Sequence, residues 1–351
     1  MRILKLCLVA SLWLKFASVS TAGIYFAVGE ADQPINIQKP LPPGEFRQRL
    51  AQLGLLATMP AGQPIKDRYL ERQHVLETRL HQGRASSDDR LALSAIMTRL
   101  GENAQAMALL RDDPLLVRTD ALAAAQLSAL LALEGKYEDA AIYCRQALDA
   151  WPLARAPYTP AQLRSCRRAE LYCLALYRSR ARERAKGEIN GREPDDLFGA
   201  RFAGSGPVYM PGRLAAEEQK KLPADALGVV EQLLLWMPSD TRLYWQYGEL
   251  LNASGDTNQA AQVMDECLWN RRYDAPLLRQ HRQILREAVA AQTAEPGGLA
   301  LPAPEPAPAS GGWRIDRGPV ILVGVAAAMV TVYLAYQQVR ESRRKRLKRG
   351  A

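Results

Sequence analysis

The chain has 351 residues, 48% of them hydrophobic, enough for about two domains and ample for a real core. Its formal charge of +9 would suggest a nucleic-acid partner, but residues 1–22 carry +3, residues 340–351 carry +6 and residues 23–339 sum to zero. The basic balance therefore says nothing about the partner of the main domain; positive ends beside apolar segments are a membrane pattern, and no nucleic acid is expected.

In MRILKLCLVASLWLKFASVSTAG, Arg2 and Lys5 precede an apolar run from Leu6 to Leu14 and a small-residue stretch, with Ser20 and Ala22 placed for cleavage before Gly23. Residues 1–22 thus read as a signal peptide; because Lys15 interrupts the run, the alternative is an uncleaved anchor continuing through GIYFAVG. Residues 41–86 hold EFRQRLAQLGLL and DRYLERQHVLETRLHQG, an expected N-terminal helical pair. On the second helix His74, Glu77 and His81 fall at i, i+3 and i+7, where they are expected to be solvated rather than to hold a metal.

The stretch LEGKYEDAAIYCRQALDAWP places Tyr137, Ala140, Cys144, Ala147 and Pro152 after Gly135, with Leu127, Ser128 and Leu131 before it. Two short helical patterns therefore flank one turn, each too short to be stable alone. Shifting the frame by about 34 residues brings Leu93, Ser94, Met97, Gly101, Ala106 and Leu110 into register upstream. Downstream, Tyr244, Tyr247, Gly248, Leu251, Gly255, Ala260, Met264 and Cys267 repeat the pattern, as do Ala226, Val230, Leu233 and Pro238 one frame earlier. The frames are 87–120 with 121–154 and 207–240 with 241–274, set within expected repeat regions 87–154 and 207–290. This spacing resembles the tetratricopeptide repeat (TPR) family, whose units place small residues where two helices meet and large ones against the next unit. Arg90, Asp113 and Pro211 depart from that pattern.

The resemblance implies an all-α, TPR-like helix-turn-helix solenoid whose first helices line a concave face. Its groove positions are Arg242, Trp245, Glu249 and Asn252 in one unit and Leu122, Ala125, Ala129 and Ala132 in another. Such a groove, apolar at one end and mixed-polar at the other, suits a protein partner presenting an amphipathic helix or extended segment; the N-terminal helices are the alternative occupant.

Residues 155–206 break the register, with one longer helix from Pro160 to Lys186 and a Gly/Pro-dense loop. Phe198, Phe202 and Tyr209 with Arg192 and Arg201 would make either a docking element or an inserted cap. Of the five cysteines, Cys7 leaves with a cleaved signal. Cys144, Cys166, Cys173 and Cys267 are expected as small core residues; a bridge from Cys144 to Cys166 or Cys173 is the other reading.

Residues 291–312 are a Pro/Ala linker. PVILVGVAAAMVTVYLAY, residues 319–336, carries no charge, and its 18 positions span about 27 Å as a helix, close to the hydrocarbon thickness. Residues 337–351 form a basic tail with Arg343, Arg344, Lys345, Arg346, Lys348 and Arg349. That excess sets the tail on the cytoplasmic side, against anionic lipid, and the repeats outside. Neither a phosphate loop nor a nucleophile-base set can be read from the chain, so the expectation is a non-enzyme without cofactor or metal: a membrane-tethered interaction scaffold. The alternative is a structural subunit of a membrane complex in which the repeats act as a spacer.

Overall fold

The computed structural model describes residues 28–29, 31–155, 158–187, 192–202 and 209–294, all within one unit, Met1–Glu295. The described residues form thirteen α-helices and no strand. The helices are α1 Pro43–Leu55, α2 Pro64–His81, α3 Ser87–Leu100, α4 Asn103–Arg111, α5 Pro114–Thr119, α6 Ala121–Leu133 and α7 Tyr137–Asp149. There follow α8 Pro160–Ala185, α9 Ala216–Gln219, α10 Ala226–Trp236, α11 Thr241–Ala253, α12 Thr257–Asp265 with a π-turn at Glu266–Asn270, and α13 Pro276–Ala294. The last helix runs four residues into the stretch expected as linker. No helix among the described residues is long and apolar enough to cross a membrane. The 1–22 segment, the 319–336 span and the basic tail lie outside the described residues.

Local chemistry sets the helix limits. Ser86 and Asp89 form a reciprocal capping box at the start of α3, Thr159 and Gln162 another at α8, and the Asp120 and Asp240 carboxylates accept N–H groups opening α6 and α11. Gly101, Gly135 and Gly255 take left-handed φ values of 86°, 74° and 97° after α3, α6 and α11, a conformation that other residues rarely adopt. Helix α3 starts at Ser87 and α6 at Ala121, α4 at Asn103 and α7 at Tyr137, so both pairs are separated by one and the same repeat period.

Successive helices pack as neighbours from α2 through α3, α4, α6, α7, α8, α10, α11, α12 and α13. The small-residue positions are the contacts. Ser128, Ala140, Cys144 and Ala147 are buried in the α6–α7 hairpin, and Gly248, Ala260, Met264 and Cys267 in α11–α12. A Cβ on Gly248 would stand 3.0 Å from Val263 Cγ1.

The departures have physical reasons. Asp113 caps α5 instead of packing between helices, and its carboxylate faces Arg90 Nε at 4.0 Å, so the two charged exceptions of one unit meet each other. In the 207–240 frame the expected first helix is reduced to the one-turn α9: Pro211 lies in a turn, and α8 packs against α10 instead.

Candidate functional site

Helix α6 is buried at every position from Ala121 to Ala132, and α10 at every position but Leu227. An inner helix of an open superhelix keeps one side free, whereas these are covered all round. The residues expected to line an open groove are occupied accordingly. Leu122 and Trp245 are buried. Glu249, also buried, receives Trp245 Nε1 at 2.7 Å and Tyr209 Oη at 2.9 Å, with His281 Nδ1 2.7 Å away. Asn252 accepts from Gly212 N at 2.7 Å and donates to Met210 O at 3.1 Å. Arg242 forks onto Glu183 at 2.8 and 3.0 Å and reaches Asp195 at 3.2 Å. Arg242 and Asn252 thus bind α8 and the segment that follows it, Glu249 binds Tyr209 and His281 of α13, and Leu122 and Trp245 lie in the core. The apolar positions of α6 could not have been left exposed over so long a run.

The insertion is the cover. Phe198 packs on Tyr172 with ring centroids 5.0 Å apart, Phe202 is buried, and Tyr209 stacks on His281 at 3.7 Å. Its loop is pinned by Arg180, which forks onto Asp195 at 2.7 and 3.1 Å and onto Asp240 at 2.6 and 2.9 Å. Burial works against the Asp240 carboxylate, yet the Arg180 guanidinium and the Leu243 N–H hold it below the usual range. The aromatic residues thus face inward, as in the cap reading.

The other cover is N-terminal. Residues 31–41 cross α10 as a strap, and α1 follows against the same helix. Ile35 N donates to Gln232 Oε1 at 2.9 Å and Leu41 N to Glu231 Oε2 at 2.9 Å, while Gln38 Nε2 donates to Asp225 Oδ2 at 3.1 Å. At its start Asp32 accepts from Tyr69 Oη on α2, and beyond it Arg47 reaches Gln259, Gln262 and Glu266. Burial pushes the Glu231 carboxyl up to about 8, against the opposing Leu41 N–H. Residues 31–41 and α1 together cover α10.

One cavity, of about 350 Å³, opens where the C-terminal ends of α1, α3, α6 and α10 meet. Ala132, one of the expected groove positions, lines it with Leu53, Leu133 and Trp236. Four helix ends would gather carbonyl oxygens here. The chain supplies its own cations: Arg99 Nη2 donates to Leu235 O at 2.7 Å, and Lys66 Nζ to Leu56 O at 2.8 Å. The remaining wall is largely apolar, with Asn103 Oδ1 buried and without a hydrogen-bond partner.

Cys144, Cys166, Cys173 and Cys267 are free and buried; Cys144 Sγ donates to Glu170 Oε1 at 3.3 Å, and burial pushes the Cys267 thiol up to about 12. His74 and His81 are exposed on α2, and no group of three metal-ligating side chains stands together among the described residues. The described residues are all-α, built of packed helical hairpins. No family model matches it, and no curated protein matches it.

Proposed function

We propose that the chain is a membrane-tethered, TPR-like interaction scaffold that binds protein partners rather than catalysing a reaction. The observation carrying this reading is the recurrence of hairpins: helices starting at Ser87 and Ala121, their partners at Asn103 and Tyr137, and left-handed glycines at 101 and 135 all repeat with one common period. Stacked hairpins of that period bury a continuous core and present surface for recognition. Residues 319–336 are the span, residues 337–351 the cytoplasmic tail on anionic lipid, and the repeats lie outside the membrane's cytoplasmic face. Neither nucleic acid nor a cofactor enters the reading.

Affinity capture with the membrane-extracted full chain tests it, in parallel with a chain lacking 313–351. A scaffold's repeat domain retains its partner without the span; loss of every partner on that deletion refutes the scaffold. Protease added to spheroplasts should digest the repeats and spare an epitope placed after Ala351. Loss of the epitope with survival of the repeats would overturn the topology.

A second reading has an observation of its own. Because Leu122, Arg242, Trp245, Glu249 and Asn252 are spent on internal contacts, the array suits a structural subunit whose span and tail carry the partner and whose repeats are a spacer. The same deletion separates the two.

A further inference from the structure

We propose that the face of α10 is a binding site for a peptide main chain, and that residues 31–41 are the chain's own occupant of it, docked in cis. The proposal rests on reading the domain as a protein-binding array, and it names the class of ligand.

The contacts are those by which a protein reads a main chain. Gln232 and Glu231, both buried side chains of α10, receive the backbone N–H groups of Ile35 and Leu41, each at 2.9 Å. Gly228 lies beneath the segment: a Cβ there would overlap the Ile37 carbonyl and stand 2.7 Å from the Ile37 Cα. Only a residue without a side chain lets backbone approach that closely. Along the strap Ile35 and Ile37 are buried and Asn36 is exposed; a turn closed by Lys39 N donating to Asn36 O at 2.8 Å follows, and Gln38 reaches back to Asp225 at the start of α10, so the site reads two apolar side chains at i and i+2 leading into a turn.

The strap leaves part of the site's hydrogen-bonding capacity unused. Glu231 Oε1, in a fully buried residue, has no partner, and neither has Tyr247 Oη. The residues on either side of Leu41 are Pro40 and Pro42, which carry no N–H to give. The fitting ligand is therefore a segment with apolar side chains at i and i+2 ahead of a turn and one more hydrogen-bonding group than the strap offers. Such a segment would exchange with the strap, which gives the array a covered and an open state.

The test uses the full chain and a fluorescent synthetic peptide of residues 31–41. Ile37→Asp should release the strap by placing a carboxylate where an apolar side chain is buried, leaving α10 intact. Fluorescence anisotropy should then show the peptide binding the Ile37→Asp chain at least about tenfold more tightly than the parent, whose site the tethered strap occupies at high effective concentration. Adding Gly228→Ala to the released chain should weaken the peptide at least about tenfold, because the new Cβ meets backbone rather than a movable side chain. Equal binding to parent and Ile37→Asp chains, with the helical circular dichroism retained, overturns the proposal, as does indifference to Gly228→Ala. Should Ile37→Asp not fold, hydrogen exchange of the parent decides. The Ile35 and Leu41 amides should exchange well ahead of the α10 and α11 amides; exchange in step with them makes the strap an inseparable part of the core and overturns the idea. Peptide binding without capture of any partner would sink the scaffold reading alone.

Discussion

Gly248→Leu probes the contact on which the hairpin geometry depends. In α11 the glycine faces Val263 and Met264 of α12, both fully buried, and a Cβ would already stand 3.0 Å from Val263 Cγ1 and 3.4 Å from Val263 Cβ. A single added carbon requires the valine to give by a few tenths of an ångström. Leucine brings three carbons more, into a place where the next atoms belong to two side chains without solvent on any side. Overpacking of this kind costs about 1–3 kcal/mol, and the helix propensity gained on replacing glycine, about 1 kcal/mol, offsets only the low end. The expected net loss is about 1–2 kcal/mol, read by urea denaturation followed by far-ultraviolet circular dichroism. Val263→Ala alone should cost about 2 kcal/mol, from two methyl groups and the cavity they leave. Combined with Gly248→Leu it should cost less than the two losses added, by about 1 kcal/mol or more, because the leucine enters the space the valine vacates. Additive losses, or a Gly248→Leu chain as stable as the parent, would refute the assigned contact and with it the hairpin register.

Three further outcomes follow from particular side chains. Glu231 binds its proton up to about pH 8 in the folded chain and up to its ordinary value near 4.5 when unfolded, so its contribution is fully present below about 4.5 and is lost as pH rises to about 8. The parent's denaturation free energy should therefore fall with pH across that window relative to Glu231→Gln, by up to about 1.4 kcal/mol per pH unit; a flat difference curve refutes the assignment. Arg180→Met strands the buried carboxylate of Asp240 and leaves Asp195 to Arg242 alone, which should cost about 3–5 kcal/mol and expose residues 192–202 to limited proteolysis; an unchanged digestion pattern would show that the loop is held by other means. Ser94 and Ser128 occupy the same repeat position, but Ser94 Oγ donates to Ala106 O at 3.1 Å whereas Ser128 Oγ has no partner. Ser94→Ala should cost about 1 kcal/mol and Ser128→Ala should be neutral or stabilising in the same denaturation assay, and equal losses would contradict the difference.

Much of the hairpin pattern was legible along the chain because its causes are local. The glycines at 101, 135 and 255, the aspartates opening α6 and α11, and the small residues at Ala140, Ala147, Gly248 and Ala260 each act within one hairpin, and a single repeat period brings them into register. Pro211 likewise warned against a first helix in its frame. One further signal stood in the open: ALAAAQLSALLA is apolar on every side, and a helix of that composition must be covered all round. That composition demands a cover without saying which segment provides it.

Tertiary structure alone decided the cover. Ile35 meets Gln232 across 197 residues and Arg99 meets Leu235 across 136, and no periodicity links partners so far apart. Gly228 looks in sequence like a weak helix residue; only the Ile37 backbone lying on it gives its lack of a side chain a use. Arg242 and Asn252 look like groove residues because polar side chains on a first helix ordinarily meet solvent, but the insertion brings Asp195 and Gly212 to them. Sequence therefore determined the helices and their repeat, which depend on neighbours within one turn or one hairpin. Whether the inner face is open or filled depends on where distant segments find unsatisfied N–H groups and uncovered apolar surface, and that becomes defined only when the whole chain is folded.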